Sequence, residues 1–199
     1  MKSQKQVWNN LAEEWYNLKN NPIKRVLKFL ENKRGNVLDL GSGAGRHLIK
    51  IKDGEMYLVD FSGEMINLAR EKAIKKKIPA KFFVSDMTKR LFRDNFFDAA
   101  IMTSSLHCVK GKRKREKAVM ELFRILKPKA KVLVTAYNKN SEQFKNSLKE
   151  KYIGWKDKEI RYYYIFDEKE IHKLFEKVGF KIVKKWEPKR SIEFIAEKP

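Results

Sequence analysis

The chain has 199 residues, with 46 Lys plus Arg against 25 Asp plus Glu and a formal net charge of +21. That length is typical of one domain with a substantial core, and no apolar run approaches the roughly 18 residues of a membrane span. The lone Cys108 excludes an internal disulfide and fits a reducing cytoplasm, the first residues carry no apolar signal core, and no Cys or His spacing suggests a metal site.

The positive charge is concentrated. Residues 110–131 hold ten basic and two acidic residues, and residues 70–93 hold nine and two. Such a surface attracts polyanions, so nucleic acid is expected as substrate or partner. A Lys-rich surface that serves only solubility or thermal stability is the competing reading.

In chain order, Val7 to Phe29 predicts one or two helices broken near Asn20-Asn21-Pro22, and residues 1–34 read as a helical cap. The remainder, 35–199, reads as the core of the same single domain. Strands are predicted at 36–40, 55–60, 80–84, 97–103 and 131–137, with helices at 43–51, 62–76 and 112–126. This alternation is the rhythm of a parallel sheet with crossover helices. Ser62 is placed as an N-cap. A helix at 167–178 stops at Gly179, and strands at 181–186 and 191–197 form a closing hairpin. The expectation is an α/β fold with seven strands, helices on both faces and an antiparallel last strand.

The sharpest motif is Val37-Leu38-Asp39-Leu40-Gly41-Ser42-Gly43-Ala44-Gly45. An apolar strand runs into three glycines, where a side chain would keep a ligand from the backbone. Nicotinamide-binding folds place a third glycine where this chain has Arg46. The next strand ends in Asp60-Phe61, with Asp60 placed for ribose hydroxyls, and the third is followed by Asp86-Met87, with Asp86 placed for an adenine amino group or as a helix cap. Acids after three successive strands (Asp39, Asp60, Asp86) face the crevice where such folds bind ligands.

With these residues the chain resembles the class I S-adenosylmethionine-dependent methyltransferases over nearly its full length. Phe96-Phe97-Asp98-Ala99-Ala100-Ile101 and Leu122-Phe123-Arg124-Ile125-Leu126-Lys127-Pro128 are similar to further signatures of that family. It implies a Rossmann-like fold, S-adenosylmethionine as cofactor, and a cofactor site of Asp39, Gly41, Gly43, Gly45, Asp60, Phe61, Asp86 and Met87. A narrower likeness is to the tRNA wobble-uridine carboxymethyl methyltransferases. Leu106-His107-Cys108 stands where they carry Ile-His-His, and Arg161-Tyr162-Tyr163-Tyr164-Ile165-Phe166 is similar to their Arg-Tyr-Tyr-His-Leu-Phe. Eukaryotic members work with a small zinc-binding activator, and the strand at 80–84 with Phe82 and Phe83 is an edge that accepts such an addition or is covered by its own helix.

Two acceptor chemistries stay open. A carboxylate acceptor is already ionised and needs only a cation such as Arg161. An amine or hydroxyl acceptor needs a base, for which His107 is placed unless it is structural. Arg161, His107 and Tyr163 are the catalytic candidates. Tyr162, Tyr163 and Tyr164 offer faces for a base, with at least one turned into the core. Trp8 and Trp15 share a helical face, as a lid or as core. Lys112, Arg113, Lys114 and Arg115 open a helix against its dipole, which points to phosphate binding. The expected reaction is methyl transfer to a modified wobble uridine of tRNA; a small-molecule methyltransferase and a non-catalytic binding module are the alternatives.

Overall fold

The computed structural model describes residues 2–156 and 158–199. The N-terminal helices are α1 (Gln4–Leu18) and α2 (Lys24–Leu30), separated around Asn20-Asn21-Pro22. Strands β1 (Arg34–Leu40), β2 (Lys52–Asp60), β3 (Ala80–Val84), β4 (Phe97–Thr103) and β5 (Leu126–Tyr137) follow, with α3 (Gly63–Lys76) and α4 (Lys112–Ile125) between them. The chain ends with β6 (Glu150–Trp155), β7 (Glu159–Tyr164), α5 (Glu168–Val178), β8 (Lys181–Lys185) and β9 (Ser191–Glu197).

The main sheet has the order β3-β2-β1-β4-β5-β9-β8. Its first five strands pair in parallel, β9 is antiparallel to β5, and β8 is antiparallel to β9. Alternate residues explain why the central strands read as unbroken apolar runs. Leu38, Ala100 and Val132 turn toward α4 and α5, while Val37, Ala99, Ile101 and Leu133 turn toward α2 and α3. Burying an aliphatic side chain of this kind stabilises by about 1.5–3 kcal/mol. The caps read as expected: Ser62 Oγ accepts from Met65 N, Asp167 accepts from Glu170 N, and Gly179 ends α5 at φ 114°.

One local expectation fails. Residues 43–51 form turns rather than a helix, because Gly43 and Gly45 sit at φ 51° and 68°, left-handed values that a right-handed helix cannot contain. The segment 150–164 forms an antiparallel hairpin, β6–β7, outside the main sheet. Gln4 completes its edge like an extra strand, donating from Nε2 to Ile160 O (3.2 Å) and accepting from Tyr162 N (2.8 Å). The N-terminal helix is thereby tied to the hairpin above the carboxyl ends of β1 and β4, where the strand order switches direction. No helix among the described residues is long and apolar enough to cross a membrane.

Candidate functional site

A cleft of about 470 Å³ opens at that switch point. Its floor is the β1 turn. Gly41, at φ 79°, has no room for a side chain, since a Cβ there would run into Ser105. Gly41 N and Ser42 N donate to Val59 O at 2.8 and 3.0 Å, pinning the turn to β2. Ser105 Oγ donates to Leu40 O at 2.8 Å and holds it from the β4 side. Gly43 also faces the cleft. Gly45 is away from its wall: a Cβ there would press on Ala69 (3.1 Å) and Leu58 (3.3 Å). Its place among the cofactor-binding glycines is therefore corrected to close packing of the turn on α3 and β2.

Asp60 lies on the wall, with Oδ2 accepting from Gly43 N (2.9 Å) and Oδ1 from Ser62 N (2.9 Å). Burial raises its carboxyl to about 6, against the pull of those amides. Phe61, Asp86 and Met87 line the same end. Asp86 Oδ1 accepts from Thr88 N (2.8 Å) and Thr88 Oγ1 (2.7 Å), so it orders its own turn while facing the cleft.

Asp39 is fully buried beneath the turn, and neither carboxylate oxygen has a partner among the described residues. Burial and the nearby Asp60 charge raise it to about 8, opposed by Arg46. An orphaned buried acid calls for a cation. The ammonium of S-adenosylmethionine is such a group, and the open glycine turn and Asp60 suit its remaining parts, so these residues fit that cofactor. His47 on the wall has Nδ1 3.4 Å from Thr103 Oγ1 and an unpartnered Nε2, and burial lowers it to about 3.

Helix α1 roofs the cleft with Trp8 and Trp15, whose rings meet edge to face at 5.1 Å. Of the two readings left open for them, both indoles cover the cleft, and Trp8 is buried as well. The mouth carries Lys5, Lys19, Lys110 and Lys114, with Arg46 at its edge. Sequence reasoning passed over Lys5, Lys19 and Lys110 because single lysines in a Lys-rich chain carry no signal until the fold gathers them.

His107 as a general base is corrected by its surroundings. It is 1% exposed, its ring stacks on Tyr137 at 4.3 Å, and its Nδ1 accepts from Tyr137 N at 3.2 Å. The accepting nitrogen is the one without a proton, so Nε2 carries the hydrogen, and burial lowers the ring to about 3. His107 is a neutral, structural acceptor.

Arg161 is buried, yet no carboxylate among the described residues pairs with it. Its Nη1 donates to Tyr163 Oη (2.9 Å), Nη2 reaches Gly154 O (3.4 Å), and Nε has no partner among the described residues. The guanidinium lies 5.3 Å from Trp15, 4.7 Å from Trp155 and 5.3 Å from Tyr163. It thus stands one layer behind the roof residue Trp15. Tyr162, Tyr163 and Tyr164 are all buried, so the expectation that they present faces to a base is also corrected. Tyr163 packs on His107 and Tyr137.

Lys112, Arg113 and Lys114 are exposed at the start of α4, which has no acid in its first turn and no side-chain cap. Arg115 turns inward and is corrected from phosphate binding to structure. It is 5% exposed, donates to Val109 O (3.0 Å) and Tyr162 Oη (3.4 Å), and covers the Tyr164 ring at 3.6 Å.

A family profile described as a methyltransferase domain matches residues 31–179. Among curated relatives, the tRNA (carboxymethyluridine(34)-5-O)-methyltransferase of Xenopus tropicalis is 29% identical over 149 residues, 74% of this chain and 22% of that one. A ubiquinone/menaquinone biosynthesis C-methyltransferase of Yersinia pestis is 36% identical over 110 residues, 52% of this chain and 43% of that one. The chain spans less than half the length of such relatives. Among solved structures, a SAM-dependent methyltransferase of Methanosarcina mazei superposes with a TM-score of 0.73 at 22% identity, over 89% of this chain and 98% of that one. A chain from the complex of the Haloferax volcanii Trm112 methyltransferase activator with its methyltransferase gives 0.74 at 16% identity, over 100% and 99%. With three quarters of its length inside the matched profile and this sheet order around a glycine cleft, the chain belongs to the methyltransferase domain family.

Proposed function

We propose that the protein transfers the methyl group of S-adenosylmethionine to a carboxylate, the carboxymethyl group of a modified wobble uridine in tRNA. The observation that carries this is Arg161, a buried cation without a carboxylate partner among the described residues, behind a cleft whose histidine is too weak a base to take a proton at neutral pH. Bound S-adenosylmethionine supplies a methyl already activated on a sulfonium. A carboxylate acceptor would take that methyl already ionised, so no residue of this chain would need to take up a proton. Asp39, Gly41, Gly43, Asp60, Phe61, Asp86 and Met87 hold the cofactor; Trp8 and Trp15 exclude water; Arg161, oriented by Tyr163, provides the positive field for the acceptor. Lys112, Arg113 and Lys114 take the phosphates.

The kinship with a carboxymethyluridine methyltransferase and the net charge of +21 support RNA as the carrier of that carboxylate. The test is incubation with labelled S-adenosylmethionine and tRNA carrying carboxymethylated or unmodified wobble uridine. Label should appear only on the carboxymethylated tRNA and leave under mild alkali, as a methyl ester does. Alkali-stable label overturns the carboxylate, and label in a metabolite extract but not in tRNA overturns the RNA.

A small zinc-binding activator is the partner we assign to the free edge of β3. That strand ends the sheet, and its Phe82 and Phe83 pack inward while Lys81 and Val84 stay exposed. What β3 offers is an open row of backbone donors and acceptors for strand addition. Co-expression with such an activator should give a co-purifying pair with β3 amides newly protected from exchange.

A further inference from the structure

We propose that Tyr152, with Lys110 at its edge, is a stacking shelf for an unpaired RNA base flanking the one held in the cleft; the inference rests on the RNA acceptor proposed above. The pairing Tyr152–Tyr162 and Gly154–Ile160 puts these side chains on one face of the β6–β7 hairpin. Tyr162 is fully buried, and Tyr152 lies over it at 5.5 Å while remaining 43% exposed. Ile160 beside it is 59% exposed. An aromatic ring left this open on a two-stranded ribbon spends much of its apolar surface on water, where shielding Tyr162 accounts for only one side of it.

A cation sits at the edge of the ring. Lys110 Nζ donates to Tyr152 Oη at 2.8 Å and lies 5.6 Å from the ring centroid. Lys110 and Lys114 both line the cleft mouth, so the shelf adjoins the place where the acceptor enters. Glu150 shares the face, against Lys110. A π-face beside ammonium groups matches one nucleotide, its base on the ring and its phosphate on the lysines. An apolar protein surface would have to strip water from those lysines with no charge to replace it.

The test is a fluorescence titration of the intact protein with an anticodon stem-loop RNA bearing 2-aminopurine next to the wobble position. Wild type should bind and quench the probe. Tyr152→Ala should weaken binding on the order of tenfold and abolish the quench, whereas Tyr152→Trp should retain both. Lys110→Ala should lower the slope of log affinity against log salt by about one. Equal binding and quenching by Tyr152→Ala, with its circular dichroism unchanged, overturns the shelf, as does wild type that ignores the RNA at low salt. A loss of self-association in Tyr152→Ala without loss of RNA binding overturns it in favour of a second copy. Because binding is read without methyl transfer, RNA that stacks on Tyr152 but is never methylated counts against the acceptor alone.

Discussion

Asp39 gives the sharpest prediction, because its two roles move in opposite directions. Its carboxyl is raised from 3.8 to about 8 by burial and by Asp60. A raised acid is at ease in the fold below pH 4, where it is protonated in both folded and unfolded chains. Between pH 4 and 8 the unfolded chain ionises first, so folding stability is lost as pH rises, by about 1.4 kcal/mol per unit. Asp39→Asn removes that dependence. The new amide also lacks partners, a cost of about 1–3 kcal/mol, but that cost does not vary with pH. The readout is therefore the slope. Without cofactor, the melting temperature of wild type should fall relative to Asp39→Asn by a few degrees per pH unit from 5 to 8, as 1 kcal/mol is worth about 2–4 °C at this chain length. Saturating S-adenosylmethionine should flatten the wild-type slope, because its ammonium pairs with the ionised carboxylate, and should stabilise the variant far less. Parallel melting curves for the two proteins across that range would refute both the burial argument and the assignment of Asp39 to the cofactor's ammonium.

Gly41→Ala should abolish cofactor binding in calorimetry, since φ 79° and the Ser105 side chain leave a methyl nowhere to go; retained affinity would mean that the turn is not the floor of the site. Arg161→Met should lower kcat/KM for a carboxylate acceptor by about tenfold, the worth of a unit charge acting through the protein from behind Trp15, and the rate should stay level between pH 6 and 9 because no base titrates. A bell-shaped profile there would reinstate a general base. Reversing Lys112, Arg113 and Lys114 to Glu should weaken tRNA binding and its salt dependence with little change in stability. Arg115→Ala should do the opposite, costing about 2–4 kcal/mol in denaturant unfolding with the salt slope intact, because its guanidinium is consumed by Val109 O, Tyr162 Oη and the Tyr164 ring.

The sheet was legible because every strand carries its own signal. Val37-Leu38 and Ala99 to Ile101 are apolar on consecutive residues since both faces are covered, and that pattern fits little else. The cofactor end was legible for a related reason: glycines and strand-end acids are local features, and each does its work within a few residues of its neighbours in sequence. The helix expected at 43–51 failed at a point where local reasoning had the needed clue. Glycines chosen for left-handed backbone are unfit to start a helix, and the same Gly43 and Gly45 that marked the turn prevented the helix.

The acceptor end resists sequence reading for a chemical reason. A search for catalysis looks for a base, and His107 was the histidine in the right stretch. The carboxylate acceptor proposed above would need no base, so the residues serving it would carry no proton-transfer signature at all. What marks Arg161 is a buried charge with no acid beside it among the described residues, ringed by Trp15, Trp155 and Tyr163. Those rings come from α1, β6 and β7, about 140 residues apart in the chain, and the hairpin that unites them is tied to α1 by Gln4, with Trp155 Nε1 donating to Glu14 at 2.8 Å. In an Arg-Tyr-Tyr-Tyr run the sequence offers one cation and three rings with no way to say which face water. The fold sends all three tyrosines inward and leaves Tyr152, outside the run, at the surface. The base-stacking role expected of that run passes, in the proposal above, to a different residue, one whose strand partner is Tyr162 and whose neighbour is Lys110.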